Sequence, residues 1–409
     1  MRATNLQEAL NILDPKVSLC TAEQLDNYFV PRESSPIKDI LLLLKNPDSP
    51  KKMLFTGHRG SGKSTELSKL TYCLGEDYYY IHYPITRVLN PFDLTYVDVV
   101  LSLGLELFRR ATTDRLPINS KLLEDILLFT REVSKETESI GKVGGEIEGE
   151  LNAYVVKLTS KLINEDATRL VVRENLSHRI SDLLEKIELI CEEIKRATDK
   201  QVLVVIEDLD KTDLETAKQL FYQHSTSLLA PCVSIIYTFP IALRHDNNFI
   251  QVKNNFINCY SLPNLKTRTK DGGPVEDGIA SLKSILTKRV SEELFSEAAL
   301  TLLAESSGGI PRELITLAQQ ACLETMKANR SVIDEEAVTR SVKVRRMDYE
   351  VLLSSKQLAL LKAISETKQV ENDEEHRALL HNLSVLEYRN DSIWYDVHPI
   401  VKPLLERAA

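Results

Sequence analysis

The run Gly57-His58-Arg59-Gly60-Ser61-Gly62-Lys63-Ser64 places glycine at its first and sixth positions and ends on Lys-Ser. That spacing suits the cradling of phosphate groups. Glycines let the backbone curl until its N–H groups point inward at phosphate oxygens. A helix starting at the end of the run adds partial positive charge. Lys63 then reaches the β- and γ-phosphates, the Ser64 hydroxyl becomes a ligand for Mg²⁺, and Thr65 contacts the α-phosphate. A second cluster, Glu207-Asp208-Leu209-Asp210, directly follows the apolar run Val202-Leu203-Val204-Val205-Ile206. Three acids in four residues at a strand tip suit a cation or a reacting water. With Ser64, the expected metal side is Glu207 and Asp208. The plainer alternative is a solvated turn in which Asp210 or Thr212 caps the next helix.

The elements around these clusters can be read from pattern. Residues 52–56 form a short apolar strand, and a helix covers 63–74, so the glycine-rich run sits in the strand–turn–helix context it requires. Strands are expected at 78–82, 202–206, 233–238 and 257–262, and a helix at 93–110. Unbroken β-branched runs such as 202–206 suit strands buried on both faces of a parallel sheet. Strands alternating with helices imply a three-layer αβα core with a parallel sheet. Residues 1–50 read as an N-terminal helical linker, with short helices around a turn at Val30-Pro31-Arg32, and 51–265 as the core. Residues 112–200 read as a helical insertion, with a mobile loop at 139–150 and one long amphipathic helix over 173–197. Residues 278–345 are helical throughout. Residues 350–409 give helices at 356–367 and 374–383, then strands at 385–388 and 393–397 around a turn at 389–392, the pattern of a winged helix.

Composition narrows the function classes. The chain has 409 residues, 43% hydrophobic and 27% charged, which excludes a disordered or low-complexity protein. A net charge of −9 argues against a wholly cationic nucleic-acid or membrane binder. No apolar run approaches the roughly 20 residues needed to span a bilayer. The first residues lack the basic start and apolar core of a signal peptide. The six cysteines show no Cys-x-x-Cys pair and are expected to be reduced core residues of a cytoplasmic protein. The eight histidines show no metal-ligand spacing.

The phosphate loop followed by an apolar strand and Glu-Asp-Leu-Asp resembles the AAA+ and STAND branch of P-loop ATPases, closest to KAP-like and origin-recognition-like members. The resemblance spans residues 20–345. It implies ATP and Mg²⁺ as ligands, and no Asn/Thr-Lys-x-Asp guanine-reading motif is present. It puts Glu207 at the usual metal-side Asp position and Asp208 at the catalytic acid that orients the attacking water. The extra methylene of Glu207 departs from the family pattern and implies slow hydrolysis. The resemblance also makes Thr238 a γ-phosphate sensor and residues 278–345 a helical lid. In Ser307-Gly308-Gly309-Ile310-Pro311-Arg312 it makes Arg312 a second sensor reaching over the nucleotide. Arg244 would be an arginine finger acting in trans, and Arg32 would close the adenine side.

The C-terminal module leaves its partner open. From 340 to 409, eleven Lys/Arg balance eleven Asp/Glu. Lys343, Arg345 and Arg346 form the best basic patch, whereas 371–375 is acidic; Trp394 and Tyr395 read as hairpin core. The expected function is a nucleotide-driven conformational switch with a protein partner or self-association, of the kind found in bacterial defence or mobile-element systems. The alternatives are a DNA-binding initiator or remodelling ATPase, a scaffold that binds nucleotide and hydrolyses it poorly, and a metabolic kinase.

Overall fold

The computed structural model describes residues 2–45, 49–91, 93–135, 147–389 and 392–406. Three short helices come first, α1 (Leu6–Ile12), α2 (Ala22–Tyr28) and α3 (Ile37–Leu44). The core follows as β1 (Lys52–Gly57), α4 (Lys63–Cys73), β2 (Tyr78–Pro84) and α5 (Tyr96–Thr113). Four helices precede the next strand: α6 (Ser120–Ser134), α7 (Ile147–Asn164), α8 (Asp166–Ser177) and α9 (Ile180–Thr198). The sheet is completed by β3 (Gln201–Glu207), α10 (Leu214–Lys218), α11 (Ser225–Leu229), β4 (Ser234–Pro240), α12 (Phe249–Asn255) and β5 (Asn258–Ser261).

The strands pair in parallel in the order β2-β3-β4-β1-β5. Side chains alternate across the sheet, as the pleat dictates. Met53, Phe55, Leu203, Val205 and Ile236 pack on one face with Leu67 and Leu70 of α4 and Ile40 of α3. Leu54, Val204, Ile206, Ile235 and Tyr237 pack on the other with residues of α5 and α9. This is the three-layer αβα core. Because β4 lies between β1 and β3, the chain leaves β1 and β4 to opposite sides. Open α/β sheets bind ligands at the carboxyl ends of strands at such a switch point.

A lid follows as α13 (Glu276–Thr287), α14 (Glu297–Ser306), α15 (Pro311–Lys327) and α16 (Glu335–Leu352). The C-terminal module has α17 (Ser355–Thr367), α18 (Glu374–His381), β6 (Val385–Arg389), β7 (Ile393–Val397) and α19 (Lys402–Leu405). Its hairpin is antiparallel, with Tyr388 opposite Trp394. Trp394 is buried and stacks on Tyr388 with ring centroids 4.6 Å apart; Tyr395 is buried as well.

Several expectations are corrected. Residues 1–50 are not a linker: Ala3 bridges to Val290, and Ala9 and Leu13 share a core with lid residues Leu282, Leu303 and Leu314. The helix expected over 173–197 is two helices, broken at His178 and Arg179; Arg179 pairs with Asp182 and Glu132 and starts the second. Not all of 112–200 is an insertion, because α9 packs on β3 and α5 as a layer of the sandwich. Of the loop expected at 139–150, residues 139–146 lie outside the described residues, and 147–150 already belong to α7. The expected turn positions 390 and 391 also lie outside them. Helix α16 runs through Leu352, past the 345 boundary. All six cysteines are free, but only Cys191 and Cys322 are buried, because Cys20, Cys73 and Cys232 fall at element ends facing solvent.

Candidate functional site

The glycine-rich run joins β1 to α4, whose N-cap is Gly62 at φ +100°. Gly60 has φ +82°, and a Cβ there would lie 2.7 Å from Cβ of Arg312, so glycine is required for the lid to approach. The Arg312 backbone N–H donates to the Gly60 carbonyl at 3.2 Å. The Arg312 side chain is exposed and lines the same cleft as Lys63, Ser64 and Thr65.

Lys63 is buried. Its ammonium donates to the carbonyls of Gly57 and His58, both at 2.9 Å, and pairs with Asp210 Oδ2 at 2.9 Å. Burial would raise the Asp210 carboxyl, but the Lys63 ammonium overrides it and holds the acid below its usual value. Ser64 Oγ donates to Glu207 Oε2 at 2.5 Å, and Glu207 Oε1 meets His82 Nε2 at 2.6 Å. His82 reaches Glu207 because β2 pairs with β3 in a register that sets Pro84 opposite Glu207. Asp208 adopts φ +69°, which turns it toward the end of β2. There Thr86 Oγ1 donates to Oδ2 at 3.0 Å, and Lys211 Nζ meets Oδ1 at 2.5 Å. Thr238 accepts from the Leu209 N–H at 3.2 Å and bonds to Asp210.

The structure thus brings Lys63, Ser64, Glu207, Asp208, Thr238 and Arg312 around one cleft. Sequence reasoning missed His82, Thr86 and Lys211, and placed Asp210 in the acidic cluster or at a helix cap without pairing it to Lys63. The cap of α10 is Asp213, which accepts from the Thr216 N–H at 2.9 Å; Thr212 instead donates to the Leu209 carbonyl. A polar side chain at the end of an apolar strand, the signal that marked Thr238, marks His82 equally.

Of the loop residues expected to touch nucleotide, His58 faces elsewhere, while Arg59 lines the cleft and is also tied to the C-terminal module. His58 is 1% exposed, and its Nε2 accepts from the backbone N–H of Glu387 in β6 at 2.7 Å. Burial lowers its pKa to about 3, so it is neutral. Arg59 donates to the Lys211 carbonyl at 3.0 Å and meets His381 Nε2, at the end of α18, at 2.8 Å. Burial, with the Arg59 guanidinium, pushes His381 down to about 4. Arg244 is not free to act on a neighbour: its Nη1 binds Glu387 Oε1 at 2.9 Å. Glu387 is 3% exposed and also meets His245 at 3.4 Å and Arg389 at 2.8 Å. Burial would raise its carboxyl, but His245, Arg244 and Arg389 hold it far below the usual range.

The other end of the cleft is apolar, walled by Leu19 and Phe29 of the N-terminal segment and Ile285 and Ile315 of the lid. Arg32 is buried over Gly62, with Nε 4.0 Å from Glu66 Oε1, while its Nη1 has no hydrogen-bond partner among the described residues. An orphaned buried donor beside a phosphate loop fits a nucleotide, and the Ser64–Glu207 pair fits Mg²⁺ as a hydroxyl–carboxylate ligand set. Among the described residues no group of three His, Cys, Asp or Glu side chains is placed to hold a metal ion.

A phosphate loop at the carboxyl edge of a parallel sheet, with acids on the second strand over, defines a P-loop NTPase fold. No family model and no curated protein matches this chain. Among solved structures it is similar to the Walker-type ATPase of Pyrococcus abyssi, at 14% identity and TM-score 0.47 over 97% of this chain and 99% of that one. It is similar to the ORC1 protein of Aeropyrum pernix in complex with DNA, at 12% identity and TM-score 0.44 over 97% and 96%. It is similar to Cdc6p of Pyrobaculum aerophilum, at 12% identity and TM-score 0.41 over 97% and 98%.

Proposed function

We propose that the chain is an ATP-hydrolysing, STAND-like switch whose C-terminal module, read as a winged helix, responds to the state of the phosphate loop. One observation carries the reading: the two side chains of the loop that could sense its shape, His58 and Arg59, are bonded to Glu387 and His381 of that module. Arg244 and His245, just past the end of the sensor strand β4, converge on the same Glu387. A rearrangement of the loop therefore reaches the hairpin through a direct bond.

Within the site, Lys63 exchanges Asp210 for the β- and γ-phosphates. Ser64 and Glu207 would hold Mg²⁺, which would neutralise charge on the transferring phosphate. Asp208 orients the attacking water, Thr238 contacts the terminal phosphate, and Arg312 closes the lid. Arg32 and the apolar wall take the adenosine side. Among the described residues no helix is long and apolar enough to cross a membrane.

The DNA-remodelling alternative finds less support. Arg345 is committed to Glu313 and Asp348, and Arg346 to the Ile400 carbonyl, leaving Lys343 as the exposed member of the basic patch. The test is steady-state ATP turnover with and without duplex DNA, using Lys63→Ala as the blank. It is read beside the emission of Trp394, the single tryptophan. Slow turnover indifferent to DNA, with a Trp394 change on ATP addition, supports the switch. Turnover raised several-fold by DNA sinks it in favour of the remodeller.

A further inference from the structure

A second concavity opens from the far side of the metal end of the site. It is a groove of about 560 Å³, within the range of small-molecule sites. Ser64, Glu207 and Asp208 line its inner end, and Tyr80 and His82 of edge strand β2 its floor. Its outer end carries Arg87, Arg109 and Arg110.

Those arginines are built into place. Arg87 and Arg109 both bind Oε2 of Glu106, a carboxylate only 4% exposed, while their own side chains are 44% and 38% exposed. Arg109 uses Nε and Nη2, at 3.0 and 2.8 Å; Arg87 uses Nη2 and lies over the Tyr83 ring, 5.7 Å from its centroid. Two guanidiniums thus share one carboxylate, and each carries five N–H donors. Arg110 pairs with Asp114 at 3.0 Å, and Asp114 also accepts from the Tyr79 hydroxyl at 2.9 Å. Three fixed guanidiniums face two carboxylates, so one positive charge is unbalanced at the groove's outer end. Pre-ordered guanidinium forks match phosphate bidentately, and ordering them in advance removes part of the entropy cost of binding.

We infer that this groove is a second ligand site, taking a small phosphate-bearing molecule whose phosphate is held by Arg87 and Arg109 with Arg110 beside them. Its inner end shares Ser64, Glu207 and Asp208 with the nucleotide cleft. The second ligand would therefore lie across the metal position from the nucleotide. The inference does not depend on whether the first site hydrolyses ATP.

The test is calorimetric titration of the full chain with inorganic pyrophosphate in a Lys63→Ala background, which cripples the phosphate loop. Binding should persist there and weaken at least tenfold in the added triple change Arg87→Gln, Glu106→Gln, Arg109→Gln. That triple leaves no buried carboxylate unpaired. Arg110→Gln, whose partner Asp114 is 29% exposed, is the milder companion and should weaken binding several-fold. If the triple fails to fold, judged by Trp394 emission, Arg110→Gln alone decides. Loss of all pyrophosphate binding in Lys63→Ala, or affinity unchanged by the groove substitutions, overturns the inference.

Discussion

Lys63 Nζ lies 2.9 Å from Asp210 Oδ2, and neither side chain is more than 7% exposed. The lysine that must meet incoming phosphates is thus already paired, and a buried negative charge stands beside the phosphate seat. Asp210→Asn removes that competitor. The Kd for ATP without added metal should fall roughly tenfold, about 1.4 kcal/mol. A fluorescent-nucleotide titration reads this directly, and weaker binding would mean that Asp210 itself serves the nucleotide.

Asp208 and Glu207 separate binding from turnover. Asp208→Asn should keep ATP affinity within about twofold and lower turnover by on the order of 10²-fold, as loss of a water-positioning group does. His82→Ala leaves Glu207 without the partner that holds Oε1. It should raise the Mg²⁺ concentration needed for half-maximal turnover while leaving metal-free nucleotide binding alone. A Mg²⁺ titration of turnover separates the two variants.

Gly60→Ala should act on the lid rather than on the phosphates. The new methyl group would meet Arg312 Cβ at 2.7 Å and strain a residue at φ +82°. The left-handed backbone alone costs about 1–2 kcal/mol. The expected result is a lower melting temperature and faster nucleotide release, measured by stopped flow.

Buried His58 and His398, with half-buried His381, predict acid sensitivity. Burial lowers His58 to about 3, and His381 and His398 to about 4, against 6.5 for a free imidazole. Below pH 6.5 the unfolded chain takes up protons that the folded chain refuses. The stability these groups contribute is therefore full above pH 6.5 and lost as pH falls toward 4. At pH 5 each accounts for about 2 kcal/mol. Urea melts at pH 7.5, 6 and 5 should show the decline, and His58→Gln should make it shallower.

Much of the fold was legible because it is written locally. Unbroken apolar runs marked β3 and β4, the Gly-x-x-x-x-Gly-Lys-Ser spacing marked the loop, and two short runs around a turn at 389–392 marked the hairpin. The misread parts depend on distant partners. His58 and Glu387 are 329 positions apart, and Arg244 and Glu387 are 143 apart. Nothing in the spacing around His58 separates a phosphate-facing loop residue from one that accepts a hairpin N–H. The same holds for Asp210, whose sequence suits a helix cap and whose partner is chosen by where β1 and β3 stand across β4. The first 50 residues read as a linker because they form only short helices around a turn. Their cover, the lid, lies more than 200 residues on.

The bond between His58 and the hairpin has a thermodynamic consequence that runs in both directions. If filling the loop loosens the grip of His58 and Arg59 on β6 and α18, then anything that seizes the hairpin must alter nucleotide affinity by the same factor. A partner of the C-terminal module would then behave as a nucleotide-exchange factor or its opposite without approaching the phosphate seat. Its effect could be measured from the hairpin side alone.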